Sequence, residues 1–169
     1  MHDTIQHILN TFNKSNICTE IDYFNSNWHS KIPSLPGWYI IKTNTPISVL
    51  KSLNKPDGES HYNIPVRIEE IKKLYPPELV INQKHDEVYV IYNGHSKNLK
   101  SRAREHYDGH SKTACLALKQ YPTLWDYKWY FCYFPVKALG LDYADHEILR
   151  KFIEQAWRAR NGWPILCKE

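Results

Sequence analysis

The run from residue 87 to residue 106 constrains the fold more than any other part of the chain. Residues 87–93 (EVYVIYN) are rich in β-branched and aromatic side chains, which predicts a strand. Gly94 is expected to end this strand, and residues 97–106 (KNLKSRAREH) predict a basic helix directly after it. A strand, a glycine turn and a helix in this order predict a mixed fold, with the basic helix close to the end of the strand.

The other segments surround this unit with further strands and helices. Strands are predicted at 38–43 and 126–135, and helices at 3–13, 111–120 and 143–160. Asp145 is a candidate cap for the last helix, and Asn161-Gly162 its stop. Residues 18–36 look irregular, whereas 44–86 holds short helical patches near 47–53 and 67–74. The order predicts one α/β or α+β domain over residues 1–169, in which the first two strands could pair as a hairpin.

Composition restricts the function only loosely. A formal net charge of +4 permits nucleic-acid binding without requiring it. The four cysteines form no C-x-x-C pair, which argues against zinc and favours reduced thiols in the cytoplasm. The N-terminus has no apolar stretch typical of a signal peptide, and no apolar run approaches the roughly 20 residues of a membrane span. We therefore expect a soluble cytoplasmic protein with no membrane partner.

The chemistry is concentrated between residues 92 and 106. Tyr92 lies at the end of a predicted strand, Gly94 permits close backbone approach, and Arg102 and His106 are four residues apart on one helix face. A guanidinium beside an imidazole suits a phosphate, because one clamps oxygens and the other accepts or donates a proton. The competing interpretation is an ordinary solvated basic helix face.

Three short motifs resemble those of the GIY-YIG nucleases. Gly37-Trp38-Tyr39 follows a Leu-Pro turn and resembles the first half-motif, and Tyr92-Asn93-Gly94 resembles the second. Residues 94–102 (GHSKNLKSR) are similar to the G-x-x-x-x-L-x-x-R segment of the excision-repair members, and His106 matches a histidine of the homing and restriction-type members. The resemblance covers about residues 36–162, apart from 44–86, and rests on the order of these residues.

The resemblance implies a small three-stranded antiparallel sheet flanked by helices. Residues 1–36 would form an N-terminal helical extension, and 44–86 a long insertion between the first two strands. Trp38 and Asn93 replace the usual aliphatic centres of the half-motifs. Because side chains alternate along a strand, we expect both to point away from the tyrosines and from the site.

The resemblance also implies a metal-dependent DNA endonuclease. Its catalytic residues would be Tyr39, Tyr92, Arg102, His106 and Glu154. Glu154 would hold one Mg²⁺, or another hard cation such as Mn²⁺, with water in the remaining positions. Arg102 would clamp a phosphate oxygen, and Tyr39 would orient or deprotonate the attacking water with His106 as proton acceptor. Flanking substrate contacts are expected from Lys42, Gly94, His95, Lys97 and His110.

Several alternatives stay open. Glu147 lies on nearly the same helix face as Glu154, and Asn161 stands near, but not at, the family's asparagine position. The basic residues of the insertion suit phosphate contacts or a solvated face equally: Lys51, Lys55, Arg67, Lys72 and Lys73. The leading expectation is a restriction-type enzyme that needs a homodimer to cut both strands. The alternatives are a structure-specific repair or recombination nuclease and a non-catalytic nucleic-acid-binding module.

Overall fold

Four antiparallel strands form the centre of the computed structural model, which describes residues 2–55, 63–84, 87–140 and 147–167. The strands are β1 (Ile17–Glu20), β2 (Gly37–Thr43), β3 (Tyr89–Ser96) and β4 (Trp129–Pro135). The helices are α1 (His2–Ser15), α2 (Ile47–Ser52), α3 (Ile64–Leu74), α4 (Leu99–Asp108) and α5 (Glu147–Asn161). The strand order is β1-β4-β2-β3, so the fold is α+β, as predicted.

The sheet has one strand more than expected. β1 pairs with β4 from Ile17 opposite Tyr133 to Glu20 opposite Tyr130, within a region that we expected to be irregular from residue 18 onward. The strand has only four residues and lies largely exposed at the edge of the sheet. Such a strand carries no long alternating pattern, which is why the sequence does not reveal it.

β2 and β3 pair antiparallel, as a hairpin would, but β3 runs further than predicted. Gly94 does not end the strand: it lies opposite Tyr39 in the ladder, which continues to Ser96. The register shifts between Ile41 and Lys42, so that Ile91 is an extra residue on β3. This β-bulge changes which face of the sheet the following β3 side chains occupy.

The predicted helix at 111–120 is wrong. The described chain there forms turns followed by a 3-10 helix at Leu118–Gln120, and Ala117 adopts a left-handed conformation with φ of 51°. Four consecutive residues from Cys115 to Leu118 are buried. A surface helix can bury only one face, so this run of apolar residues belongs to an irregular segment threaded into the core.

Each face of the sheet has its own apolar core. On one face, Tyr39 and Ile41 join side chains of α2, α3 and α4. On the other face, Trp38 and Ile40 pack against α1 and α5. The alternation along β2 therefore sends its tyrosine and its tryptophan to opposite sides of the protein.

The segment 44–86 belongs to the main domain. Its helical patches are confirmed as α2 and α3, and α3 buries Ile64, Ile68 and Ile71 in the core on the Tyr39 side. The α3 helix begins at Asn63, whose side chain accepts a hydrogen bond from the Val66 amide at 3.2 Å. Residues 56–62 and 85–86 lie outside the described residues.

The ends of the chain largely follow expectation. α1 packs its apolar face against the sheet and α5, as predicted for an N-terminal helix, and α5 stops at Gly162 with φ of 99°. The suggested cap Asp145 lies outside the described residues. Across the described part of the chain, no helix has both the length and the apolar character needed to traverse a bilayer.

Two of the cysteines do not match the expectation of reduced thiols. Cys18 and Cys132 face each other across β1 and β4 and form a disulfide, whereas Cys115 and Cys167 are free and buried. The sequence could not reveal this pairing because the two cysteines are separated by 114 residues and β1 itself was not predicted.

Thiol titration tests this arrangement. In denaturant without reductant, DTNB should react with two thiols per chain, and with all four after reduction. Without reductant, the Cys18→Ser variant should show three reactive thiols, one more than the wild type, because Cys132 then has no disulfide partner. Four reactive thiols in the unreduced wild type would contradict the disulfide.

Candidate active site

The hydroxyl of Tyr39 is the centre of a buried polar cluster. Tyr39 is 1% exposed, and its Oη accepts a hydrogen bond from Arg102 Nε at 2.9 Å. The same oxygen lies 3.0 Å from Nε2 of His106, which is fully buried. Tyr39 therefore contacts two residues, Arg102 and His106, that follow it by 63 and 67 positions in the sequence.

The local structure of α4 positions two of these residues. Asn98 caps the helix by accepting a hydrogen bond from the Ser101 amide at 2.9 Å. Arg102 and His106, four residues apart, then share the helix face that meets the sheet. The expectation that they lie side by side is confirmed.

Gly94 allows the tyrosine to occupy its position. It lies opposite Tyr39 in the β2–β3 ladder, and a Cβ on Gly94 would stand 2.5 Å from the Tyr39 Oη. No real Cβ tolerates that distance, so the tyrosine ring can cross the strand only above a glycine. Gly94 thus has a steric role, which differs from the substrate contact expected from the sequence.

Tyr92 completes the aromatic side of the cluster. Its ring is nearly parallel to that of Tyr39, with centroids 6.2 Å apart, and packs edge-on against the His106 ring at 4.8 Å. Its hydroxyl donates to the Ala114 carbonyl at 3.4 Å. Tyr92 lies opposite Ile41 in the same unbroken register that sets Gly94 opposite Tyr39, so strand alternation places Tyr92 on the Tyr39 face.

The protonation states follow from burial. Burial raises the pKa of Tyr39 to about 12, although the Arg102 charge and its hydrogen bond oppose the rise. Burial also holds the pKa of His106 well below 6.5, and the Arg102 charge acts in the same direction. Near neutral pH the phenol keeps its proton and the imidazole is uncharged. Since Arg102 already donates to the phenol oxygen, Tyr39 donates to His106 Nε2. The proton of the neutral imidazole is then on Nδ1, which is buried and has no hydrogen-bond partner among the described residues.

Arg102 is more engaged than a solvated helix face would allow. Its side chain is 13% exposed, Nη1 donates to Glu105 Oε2 at 2.8 Å, and Nη2 donates to the Ala114 carbonyl at 2.6 Å. Thr113 also donates to that Glu105 oxygen at 3.2 Å. Nη1 and Nη2 each carry a second N–H, so a phosphate could bind Arg102 through these donors or by replacing Glu105 or Ala114.

Glu154 approaches from α5, on the Trp38 side of the sheet, and is held by a buried arginine. Arg158 pairs with Glu154 Oε1 and donates from Nε to Asn93 Oδ1 at 2.7 Å. Burial raises the pKa of Glu154, while the charges of Arg158 and Arg102 oppose the rise. Glu154 and Arg158 are four residues apart on α5, the spacing at which helix side chains commonly form ion pairs.

The side chain of Asn93 points away from Tyr39, as expected. On the other face of the sheet it nevertheless contacts Arg158 and donates to the Glu154 carbonyl at 3.4 Å. Cys167 adds a hydrogen bond to Asn93 Oδ1 at 3.1 Å. Trp38, by contrast, lies in the core and donates from its ring nitrogen to the Arg150 carbonyl at 3.0 Å.

The geometry distinguishes the two candidate glutamates. Glu147 is 47% exposed and lies 2.9 Å from Lys151 Nζ and 3.8 Å from Lys97 Nζ, and the pKa of its carboxyl is lowered mainly by Lys151. Glu154 is 13% exposed and interacts electrostatically with both Tyr39 and Arg102. The position of Glu154 therefore fits the cluster better than that of Glu147.

The flanking residues divide into three groups. His95 lies beside Glu154, with its Nε2 3.8 Å from Oε2, and burial lowers its pKa to about 4. Lys97 and His110 are exposed, the former near Glu147. Lys42 does not lie beside Tyr39, because it is on the opposite face of β2, where it pairs with Val90 and Tyr130.

Two other sequence-based candidates lie away from the cluster. Asn161 donates to the Trp157 carbonyl at 2.8 Å at the end of α5, which is the contact of a helix terminus. Among the basic residues of 44–86, Arg67 pairs with Glu70 at 2.9 Å and Lys72 lies 3.6 Å from Glu69. Those two cations are partly neutralised by their own helix.

Sequence reasoning missed Glu105, Asn93 as a contact, and Cys167. Glu105 lies three residues after Arg102 on one helix, a spacing that could have suggested their ion pair. Cys167 lies 74 residues from Asn93, and no sequence pattern joins the two. The contact between Cys167 and Asn93 depends on how the C-terminal segment packs against β3.

A divalent cation at Glu154 is compatible with these residues. The described residues contain no group of three His, Cys, Asp or Glu side chains placed to hold a metal ion. A single carboxylate with water ligands does not require such a group. Arg158 occupies Oε1 of Glu154 and leaves Oε2 facing His95, so one oxygen is available to an ion.

No protein-family model, no curated protein and no solved structure matches this chain. The resemblance to the GIY-YIG nucleases therefore stays a prediction, carried by the ordered motifs and by the geometry of the cluster.

Gly94→Ala should disturb the cluster through a single methyl group. The added Cβ would collide with the Tyr39 hydroxyl, which should cost about 1–3 kcal/mol of unfolding free energy. In a Tyr39→Ala background the extra cost should nearly vanish, because the colliding ring is gone. Urea unfolding of the wild type, the two single variants and the double variant measures the cost of Gly94→Ala in both backgrounds. An equal cost with and without the Tyr39 ring would show that the destabilisation does not come from this collision.

The His106 imidazole should stay neutral across ordinary pH. Its NMR resonances, assigned with His106→Asn, should not titrate between about pH 5.5 and pH 8, because burial and Arg102 disfavour its charged form. In urea the same ring should titrate near about 6.5. An acid limb of activity near about 6.5 is therefore not expected from this residue. Titration of the folded protein near 6.5 would show that the ring is accessible to water.

Proposed function

We propose that this protein is a metal-dependent DNA endonuclease that hydrolyses phosphodiester bonds. The observation that carries the proposal is the contact of the Tyr39 hydroxyl with both Arg102 and His106, next to Glu154. A phenol in contact with an invariably charged donor and a neutral base is an arrangement for moving a proton beside an anion.

Each residue has a role that its contacts support. Tyr39 orients the attacking water and passes its proton to His106 Nε2, which is 3.0 Å away and uncharged. Arg102 stabilises the phenol oxygen as its proton leaves, and binds a phosphate oxygen once Glu105 has been displaced. Tyr92 stacks on Tyr39 and fixes the position of the His106 ring.

Glu154 is the residue that would hold the cation, Mg²⁺ or another hard ion such as Mn²⁺. When bound, such an ion supplies positive charge that stabilises the phosphate and the departing oxygen. Arg158 and Asn93 fix the carboxylate, and Arg158 is itself buried, so Glu154 keeps one orientation.

The substrate that fits best is duplex DNA cut in the manner of a restriction enzyme. Lys97, which lies just before α4, is exposed and could contact a phosphate that flanks the site. A homodimer would supply a second active site for the second strand.

We propose a cytoplasmic location for the protein. Disulfides are rare in that compartment, so thiol titration of the protein as isolated, which shows whether Cys18 and Cys132 are oxidised, also tests this proposal.

A non-catalytic nucleic-acid-binding module is the second candidate. It is favoured by the closure of the cluster, since Tyr39 is 1% exposed and Glu105 and Ala114 occupy the outer nitrogens of Arg102. A structure-specific repair or recombination nuclease is a variant of the first proposal and would use the same residues on branched DNA.

Plasmid cleavage tests the proposal. With Mg²⁺ or Mn²⁺ the wild type should convert supercoiled plasmid to nicked or linear DNA. Tyr39→Phe should lose about 10²- to 10⁴-fold in rate, because the ring packing stays while the proton relay is gone. Arg102→Lys should also be nearly inactive, since Lys cannot reproduce the Nε contact. Glu154→Gln should abolish cleavage while DNA binding persists, since an amide is a poor ligand for a hard cation.

Matched variants control for packing and charge. Tyr133→Phe alters the tyrosine next to Tyr39 on β4, Arg104→Lys an exposed arginine of α4, and Glu147→Gln the exposed glutamate of α5. All three should cleave at wild-type rates. Binding of DNA with no cleavage under any divalent cation would support the binding module, and cutting only at branches or flaps would support the repair nuclease.

A further inference from the structure

We infer that His95 is a second protein ligand, beside Glu154, for the divalent cation, so that the site takes a transition-metal ion in preference to Mg²⁺. The inference rests on the proposed function only in that both place the cation at Glu154. It assigns His95 a role that differs from the DNA contact expected from the sequence.

The two side chains face each other across a gap of suitable width. His95 Nε2 and Glu154 Oε2 are 3.8 Å apart, which is too far for a direct hydrogen bond. With bonds of roughly 2.1 Å, two ligands of one octahedral ion lie about 3.0 Å apart when adjacent and about 4.2 Å apart when opposite. The observed separation lies between these values, so a small rotation of either side chain would allow both to bind one ion.

Glu154 is held by its side chain and His95 by its backbone. Arg158 engages the other oxygen of Glu154, so that Oε2 is the one turned toward His95. The His95 backbone is fixed in β3, where it lies opposite Trp38. The fixed carboxylate reduces the ordering cost of binding an ion.

The pair is shielded yet reachable. The side chains of His95 and Glu154 are 18% and 13% exposed, respectively. Nδ1 of His95 is buried and has no hydrogen-bond partner within the described ranges. The ring therefore offers Nε2 as its reachable nitrogen, and an ion at this position would still have open positions for water and a phosphate oxygen.

The ligand types decide which cation is preferred. Mg²⁺ favours oxygen ligands and keeps most of its water, whereas an imidazole nitrogen suits Mn²⁺, Co²⁺ and Zn²⁺ better. One nitrogen and one carboxylate oxygen should therefore bind Mn²⁺ more tightly than Mg²⁺. A site built on Glu154 alone would discriminate much less between these two ions.

Electron paramagnetic resonance of Mn²⁺ added to the DNA-free protein tests the inference without relying on activity. The wild type should bind one Mn²⁺ per chain, and pulsed measurements should detect coupling to a ¹⁴N nucleus of an imidazole. His95→Ala and His95→Gln should lose that coupling and weaken Mn²⁺ binding at least about tenfold. His110→Ala, which removes an exposed histidine, should change neither. Circular dichroism establishes that each variant is folded.

The outcomes separate this inference from the proposed nuclease function. Absence of ¹⁴N coupling in the wild type, or its persistence in both His95 variants, would overturn the role of His95, even if plasmid cleavage is observed. Mn²⁺ binding that is unchanged in the folded His95 variants would do the same. Loss of coupling in those variants would support the metal site, even if the protein cuts no DNA.

Discussion

The contact of the Tyr39 hydroxyl with Arg102 and His106 imposes the tightest constraint on this structure. A phenol that is 1% exposed must satisfy its oxygen inside the protein, and both partners come from one face of α4. That requirement fixes the rotation of the helix on the sheet. It also demands a residue without a side chain at position 94, opposite the tyrosine. The packing of α4 on the sheet and the geometry of the candidate site thus depend on the same contacts.

The sheet separates the two halves of the candidate site. Tyr39, Arg102 and His106 lie on the face covered by α2, α3 and α4, and Glu154 lies with α5 on the other face. β3 is the edge strand between them, and it alternates Asn93 toward Arg158 and Gly94 toward Tyr39. The charge of Glu154 acts across this strand, where it contributes to the raised pKa of Tyr39.

Burial gives the site its electrostatic character. It keeps His106 uncharged and raises the pKa of both Tyr39 and Glu154, while Arg102 and Arg158 supply the compensating charge. Removing either arginine would leave buried groups without their partner, a larger change than the loss of a surface ion pair. Functional and structural roles therefore overlap at these residues, and the conservative variants discriminate between them better than truncation to alanine.

The sequence by itself determined the elements with a strong period and the residues fixed by local spacing. Alternation of side chains predicts β2 and β4, and turn residues predict the end of α5 at Gly162. The i,i+4 rule predicts that Arg102 and His106 share one face of the basic helix α4. These features depend on neighbours within a few residues, so the chain encodes them locally.

Only the tertiary structure decided the rest, because it depends on contacts between distant segments. The edge strand β1 exists through its pairing with β4, and the apolar run 115–118 forms no helix because the core takes all four side chains. The pairing of β3 with β2 places Tyr92 opposite Ile41, on the side of Tyr39, and strand alternation sends Lys42 to the other side. The choice of Glu154 over Glu147 likewise depends on where α5 crosses β3. Each of these features depends on packing between segments that are distant in the sequence, so no local sequence pattern predicts it.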